Sequence, residues 1–110
     1  MAATPAERYA TILKAFVGKR GVSAESGRGF GSSALKIDNR IFAMLASGDQ
    51  FVVKLPRQRV DALVAAGEGV RFDPRRNGKV MKEWLVVPRR LDSKWLPFAQ
   101  EAYEFVAGTR

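Results

Sequence analysis

Seven basic side chains, Arg71, Arg75, Arg76, Lys79, Lys82, Arg89 and Arg90, are crowded into the segment 71–90, against only Asp73 and Glu83. A cluster of this kind attracts polyanions and acidic protein surfaces through a field that salt screens. Trp84 stands two residues from Lys82. Alternation along a strand over 80–87 puts Val80, Lys82, Trp84 and Val86 on one face and Met81, Glu83, Leu85 and Val87 on the other. A tryptophan beside a lysine on a sheet face can stack a base next to a phosphate contact, or it can simply be core. These seven cations are the candidate polyanion-binding residues, with nucleic acid as the partner they would serve.

Little else in the chain can do chemistry. It contains no histidine and no cysteine. That removes the Ser-His-Asp triad, the Cys-His pair, zinc knuckles, disulfides and redox couples. Carboxylates, lysines, tyrosines and serines remain. Glu83, Lys82, Lys54 and Tyr9 are the set that a pocket could gather, with a desolvated lysine as base or Schiff-base nucleophile. No spacing among them supports it. The acidic residues form no D-x-D or comparable metal-binding pattern apart from Glu101-x-x-Glu104, which on a helix reads as surface solvation. The expectation is a protein that is not an enzyme, with no cofactor, no metal and no small-molecule substrate.

The loop Gly27-Arg28-Gly29-Phe30-Gly31 opens like the RNP1 signature of RNA-recognition motifs, but Ser32-Ser33-Ala34-Leu35 follows where stacking aromatics belong. It is not a phosphate-binding P-loop either, since no Gly-Lys-Ser/Thr follows. Its glycines permit positive φ, and Phe30 is expected to turn into the core.

The elements that must carry these residues are well punctuated. Thr4-Pro5-Ala6-Glu7 is a capping box with proline at N1, and Tyr9, Ile12, Leu13, Phe16 and Val17 recur at helical spacing until Gly18. Residues 18–33 read as a connection rich in glycine and serine. Strands are predicted over 34–37 and 40–46 around an Asp38-Asn39 turn, and over 51–55 after Ser47-Gly48-Asp49. In the second, Ile41, Ala43 and Leu45 point one way and Phe42, Met44 and Ala46 the other. Apolar residues on both sides suggest a strand covered on both faces, or a self-association surface.

Pro56 opens a second helix at N1, with Val60, Leu63 and Val64 buried and Gly67 as its cap. Strands over 70–73 and 80–87 flank the loop Pro74–Gly78. A last helix begins near Asp92-Ser93, holds Pro97 in its first turn and buries Trp95, Phe98, Ala99, Ala102, Tyr103 and Val106. The order α-β-β-β-α-β-β-α, joined mainly by hairpins, predicts an α+β fold: a two-layer sandwich with an antiparallel sheet of about five strands.

With 110 residues, 46% hydrophobic and 27% charged, the chain is expected to form one domain over 1–110. Its longest apolar run, Ile41–Ala46, is far shorter than a membrane span requires, and no basic stretch precedes an apolar one at the N-terminus. A cytoplasmic location without membrane contact is expected. The net charge is +8.

The run Arg28-Gly29-Phe30-Gly31, the hairpin Ala34–Ala46 and Phe51-Val52-Val53-Lys54-Leu55 resemble the N-terminal domain of the TfoX competence-regulator family. So do Val70-Arg71-Phe72, Gly78-Lys79-Val80-Met81-Lys82-Glu83-Trp84, Val86-Val87-Pro88 and the closing helix Trp95–Val106. The resemblance covers residues 5 to 107 and extends to small domains of the MmcQ/YjbR type. It implies a two-layer α/β domain with an antiparallel sheet and offers no catalytic residues. The regulators that name the family also carry a helical C-terminal domain with no counterpart in this sequence, so their role in competence is not carried over. The resemblance implies an interaction module that docks onto a macromolecular partner, with a protein expected, and the two-sided apolar strand Ile41–Ala46 suggests self-association. Direct, largely nonspecific nucleic-acid binding through 71–90 is the alternative.

Overall fold

Helix α1 (Pro5–Phe16) begins where its punctuation predicts. The Glu7 backbone N–H donates to Thr4 Oγ1 at 3.1 Å, and the Thr4 backbone N–H donates back to the Glu7 carboxylate at 2.9 Å. Two amides that the first turn leaves without helical partners are thereby satisfied. The Thr4 backbone N–H, and after it the Thr4 side chain, hold the Glu7 carboxyl below the ordinary glutamate range. Gly18, at φ +98°, turns the chain away from the helix.

The computed structural model of the chain describes residues 4–26, 33–46, 50–73 and 81–108. After α1 come strands β1 (Val22–Ser26), β2 (Ser33–Ile37), β3 (Arg40–Ala46) and β4 (Gln50–Lys54), then helix α2 (Arg57–Ala65). Strands β5 (Val70–Phe72) and β6 (Met81–Val87) follow, then a 3₁₀ turn (Arg89–Lys94) and helix α3 (Trp95–Gly108). The fold is α+β, with one antiparallel sheet in the order β1-β2-β3-β4-β6-β5. A radius of gyration of 13.1 Å is that of a compact chain of this length.

The sheet has six strands where five are predicted. The extra one, β1, lies in the segment read as a connection, and it pairs Val22 with Ile37 through Ser26 with Ser33. Val-Ser-Ala-Glu-Ser has one β-branched residue and only a short Val22/Ala24 alternation inside a glycine- and serine-rich stretch, and it completes the sheet by pairing along β2. Boundaries also move. Strand β2 starts one residue earlier than predicted, and β4 runs over Gln50–Lys54. Pro56 is the N-cap of α2 rather than its N1, and α3 begins at Trp95, with the predicted start at Asp92-Ser93 taken by the 3₁₀ turn. Pro97 nevertheless falls in the first turn of α3. Gly67, at φ +76°, follows the C-cap Ala66 as the cap reading requires.

All three helices pack on one face of the sheet. Tyr9, Ile12 and Phe16 of α1, Val60 and Leu63 of α2, and Trp95, Phe98, Ala99, Ala102 and Val106 of α3 meet Leu35, Leu45, Phe51, Val53, Leu85 and Val87 in one cluster. Trp95 stacks on Phe51 with centroids 4.6 Å apart and donates its indole N–H to the Pro88 carbonyl at 3.3 Å. Such a ring pair contributes about 0.5–1.5 kcal/mol beyond its buried area. Among the described residues no polar side chain is buried on this face.

Strict alternation along β3 does not hold. Leu35 pairs with Ala43 but Lys36 pairs with Ile41, so Phe42 is an extra residue in a β-bulge. The bulge turns Phe42 to the helices, where it meets Phe16 and Tyr103 edge-on at 5.2 and 5.6 Å. Phe42 therefore shares a cluster with Ala43 and Leu45, and Met44 and Ala46 face the other way. Burial on both sides accounts for the two-sided apolar pattern of this strand.

Candidate polyanion interface

The face of the sheet away from the helices carries a second, smaller apolar cluster. Ala46, Val52, Phe72 and Val86 are its buried members, with Met44 and Trp84 half-buried beside them. Among the described residues, only strand side chains make up this cluster.

At one end of the open face Trp84 sits directly across from Lys54 in the β4–β6 ladder. The Leu55 backbone N–H donates to the Glu83 carbonyl at 3.0 Å, which carries the pairing past the end of β4 and fixes both side chains. The Lys54 ammonium lies 5.4 Å from the centroid of the Trp84 ring, a cation–π contact, and 3.9 Å from the Glu83 carboxylate. A cleft of about 380 Å³ opens beside them, lined by Asn39, Arg40, Ile41, Lys54, Trp84 and Val106. A second of about 220 Å³, lined by Ile37, Asp38, Arg40 and Val106, adjoins it.

The β2–β3 turn shapes one wall. Asp38 and Asn39 both have positive φ, 49° and 68°, the left-handed pair of a two-residue hairpin, and short polar side chains tolerate that conformation best. The Asp38 backbone N–H donates to the Gly21 carbonyl at 3.0 Å. A Cβ at Gly21 would come within 2.8 Å of Asp38 Oδ1 and 2.9 Å of Ile37 Cδ1, so glycine lets the chain before β1 pass close to this turn. Arg40 and Ile41 are held by their pairing with Ile37 and Lys36 of β2.

The predicted basic segment is divided by the fold. Arg71 turns to the helix side and pairs with Asp61 at 2.5 Å. The Arg90 guanidinium donates to the Gly67 carbonyl at 2.7 Å, capping the end of α2. Arg89 and Arg90 follow one end of β6, whereas Lys82 is exposed near the other, two residues from Trp84. Six strand steps separate those ends, about 20 Å. Arg75, Arg76 and Lys79 lie outside the described residues, as do the Gly27–Gly31 loop with Phe30 and the loops after β3 and β5. The set Glu83, Lys82, Lys54 and Tyr9 also comes apart: Lys54 and Glu83 are neighbours, but Tyr9 is buried under the helices 6.0 Å from Phe51. Glu101 binds Arg59, and Glu104 accepts from Gln100 at 3.0 Å, so the Glu-x-x-Glu pair is surface structure. Among the described residues no group of acidic side chains is placed to hold a metal ion.

Lys54, Asn39, Arg40 and Ile41 were not in the basic segment that sequence reading selected. Lys54 meets Trp84 only because β4 and β6 are neighbours, which no local pattern reveals.

No family model, curated protein or solved structure matches the chain.

Charge is unevenly divided between the helix segments and the rest of the sequence. Segments 5–16, 57–68 and 89–108, which hold the helices, carry seven basic residues (Arg8, Lys14, Arg57, Arg59, Arg89, Arg90, Lys94) and six acids (Glu7, Asp61, Glu68, Asp92, Glu101, Glu104). The remaining strands, connections and termini hold twelve basic residues against five acids. Ion pairs consume much of the helix-side charge: Arg8 with Asp92 at 3.0 Å, Arg59 with Glu101 at 2.7 Å, and Lys94 with Glu68. The hydrogen bond from Lys94 also holds the Glu68 carboxyl below the ordinary range. Of the net +8, the helix segments account for +1.

Proposed function

We propose that this protein is a non-enzymatic binding module of the TfoX N-terminal-like kind, and that the partner it binds is polyanionic. The observation that carries the reading is Lys54 over the Trp84 ring beside the Arg40 cleft, in a chain whose helix segments carry only +1 of the net +8. An excess of positive charge on a small protein steers and holds ligands of the other sign. The Lys54–Trp84 pair is the best-defined contact point for such a ligand. A binding role also suits the two carboxyls whose titration is displaced. Glu7 and Glu68 are both held down by surface hydrogen bonds, whereas a general acid working at neutral pH needs a raised value.

Binding of fluorescently labelled inorganic polyphosphate, followed by anisotropy at two salt concentrations, tests this reading. Affinity should fall steeply as salt rises, because each contact releases condensed counterions. Absence of binding even at low salt would reject it and leave an apolar protein-docking module whose basicity serves solubility.

A further inference from the structure

We infer that the Trp84 cleft takes one base of a single-stranded nucleic acid, with the flanking phosphates held by Lys54 and Arg40. The inference rests on the polyanion reading and goes beyond it by naming the partner. Charge alone would suit any polyanion. What the site adds is a half-buried indole on an open sheet face, next to a cleft that Ile41 and Val106 line with apolar surface. An aromatic ring with cations at its edge is the arrangement that binds unpaired bases, since every base has a π-face and every nucleotide a phosphate. An acidic peptide would use the cations and leave the indole idle.

Single strands are preferred over duplex on the same ground. A base inside a duplex is already stacked on both sides and cannot offer a face to Trp84. The cleft of about 380 Å³ is of the size that takes one small ligand group, not a helix groove. Lys54 already lies over the indole, so an arriving base takes its place on the ring and the ammonium moves to the adjacent phosphate. Glu83, 3.9 Å from that ammonium, competes for it, which keeps the contact exchangeable rather than permanent.

The two tryptophans make the test direct. Trp95 is buried and stacked on Phe51, so a change of indole emission on binding reports Trp84. The full chain is titrated with oligothymidylate, with a duplex of equal length and with inorganic polyphosphate. The unmodified protein should bind oligothymidylate more tightly than duplex, with quenching. Trp84→Ala should lose about tenfold or more on oligothymidylate, the usual weight of one stacked base, and change less than about twofold on polyphosphate. Trp84→Phe, which keeps a stacking ring, should retain most of the oligothymidylate affinity and guards against a folding defect in the alanine variant. Lys54→Gln should weaken both ligands. Polyphosphate binding with equal oligothymidylate affinity in Trp84→Ala and the parent would overturn the single-strand inference and leave the polyanion reading standing. Equal affinity for duplex and single strand would do the same. Failure to bind any of the three ligands would overturn both.

Discussion

The two tryptophans mark the difference between the faces of this sheet. Trp95 lies between the helices and the sheet, 1% exposed, with its ring on Phe51 and its N–H on a backbone carbonyl. Trp84 lies on the other side, half-buried, with a lysine for a neighbour. The first environment satisfies every group of the indole internally; the second leaves ring surface and a cation for something outside. Arg8, Arg59, Arg71 and Lys94 pair with carboxylates on the helix side, and Lys54 pairs with Glu83 beside Trp84. One face is built for stability, and the other carries a half-buried indole with a lysine against its ring.

Replacing each tryptophan by alanine is the strongest test of that division. Trp95→Ala should cost about 3–5 kcal/mol, the usual loss for a large buried aromatic, and lower the thermal midpoint by more than about 10 °C. Trp84→Ala should cost roughly 1–2 kcal/mol, an ordinary value for a half-buried site. Equal losses in thermal unfolding would erase the distinction.

A smaller effect is expected where the chain enters β5. A Cβ at Gly69 would stand 2.7 Å from the Val86 carbonyl and 2.8 Å from Leu85 Cδ1, and the carbonyl belongs to a backbone that cannot step aside. Gly69→Ala should destabilise by about 1–3 kcal/mol through overpacking, read by chemical denaturation. Tolerance of that alanine would mean that β5 is free to shift along β6 and that this edge is less fixed than the helix-covered centre.

The capping box at α1 sharpens the comparison at the helix layer. Thr4→Ala should cost about 0.5–2 kcal/mol at neutral pH. Because the folded Glu7 carboxyl titrates below its unfolded value, its stabilising contribution is present above the ordinary glutamate pKa of about 4.3 and is lost as pH falls through the lower folded value. The gap between Thr4→Ala and the parent should therefore narrow as the solution is taken below about pH 4. A gap independent of pH would show that the threonine hydroxyl acts alone.

The smallest stability effects should accompany the clearest functional split. Arg59→Gln and Lys54→Gln each remove one positive charge, one from the helix layer and one from the open face. Exposed pairs such as Arg59–Glu101 contribute about 0–1 kcal/mol, so neither variant should unfold readily. Only Lys54→Gln should weaken polyphosphate binding and flatten its salt dependence; equal weakening by both would mean that total charge, not its placement, controls binding.

Features set by neighbours along the chain were readable in advance. The Thr4–Glu7 box, the Asp38-Asn39 turn, the Gly67 cap and the alternation that places Leu85 opposite in face to Trp84 and Val86 all depend on contacts within a few residues. Strand β1 was masked by the glycines and serines around it, because its Val22/Ala24 alternation is too short to stand out and its pairing with β2 is a tertiary matter. The Phe42 bulge was hidden for a related reason: an extra residue leaves the sequence pattern intact and reverses only the direction of the side chain. The basic segment is visible as a run, but Asp61 beside Arg71 and the Gly67 carbonyl beside Arg90 commit two of its cations to the fold.

By itself the amino-acid sequence determined the mix of helix and strand, the exclusion of histidine and cysteine chemistry, and the excess of positive charge. Those are properties of composition and of short periods, which do not depend on what the chain folds against. Tertiary structure alone decided that Arg71 pairs with Asp61, that Arg90 caps α2, and that Lys54 stands over Trp84. The last follows from β6 inserting between β4 and β5, a pairing that brings together residues thirty positions apart in the chain and is selected by the whole buried face rather than by any segment of it.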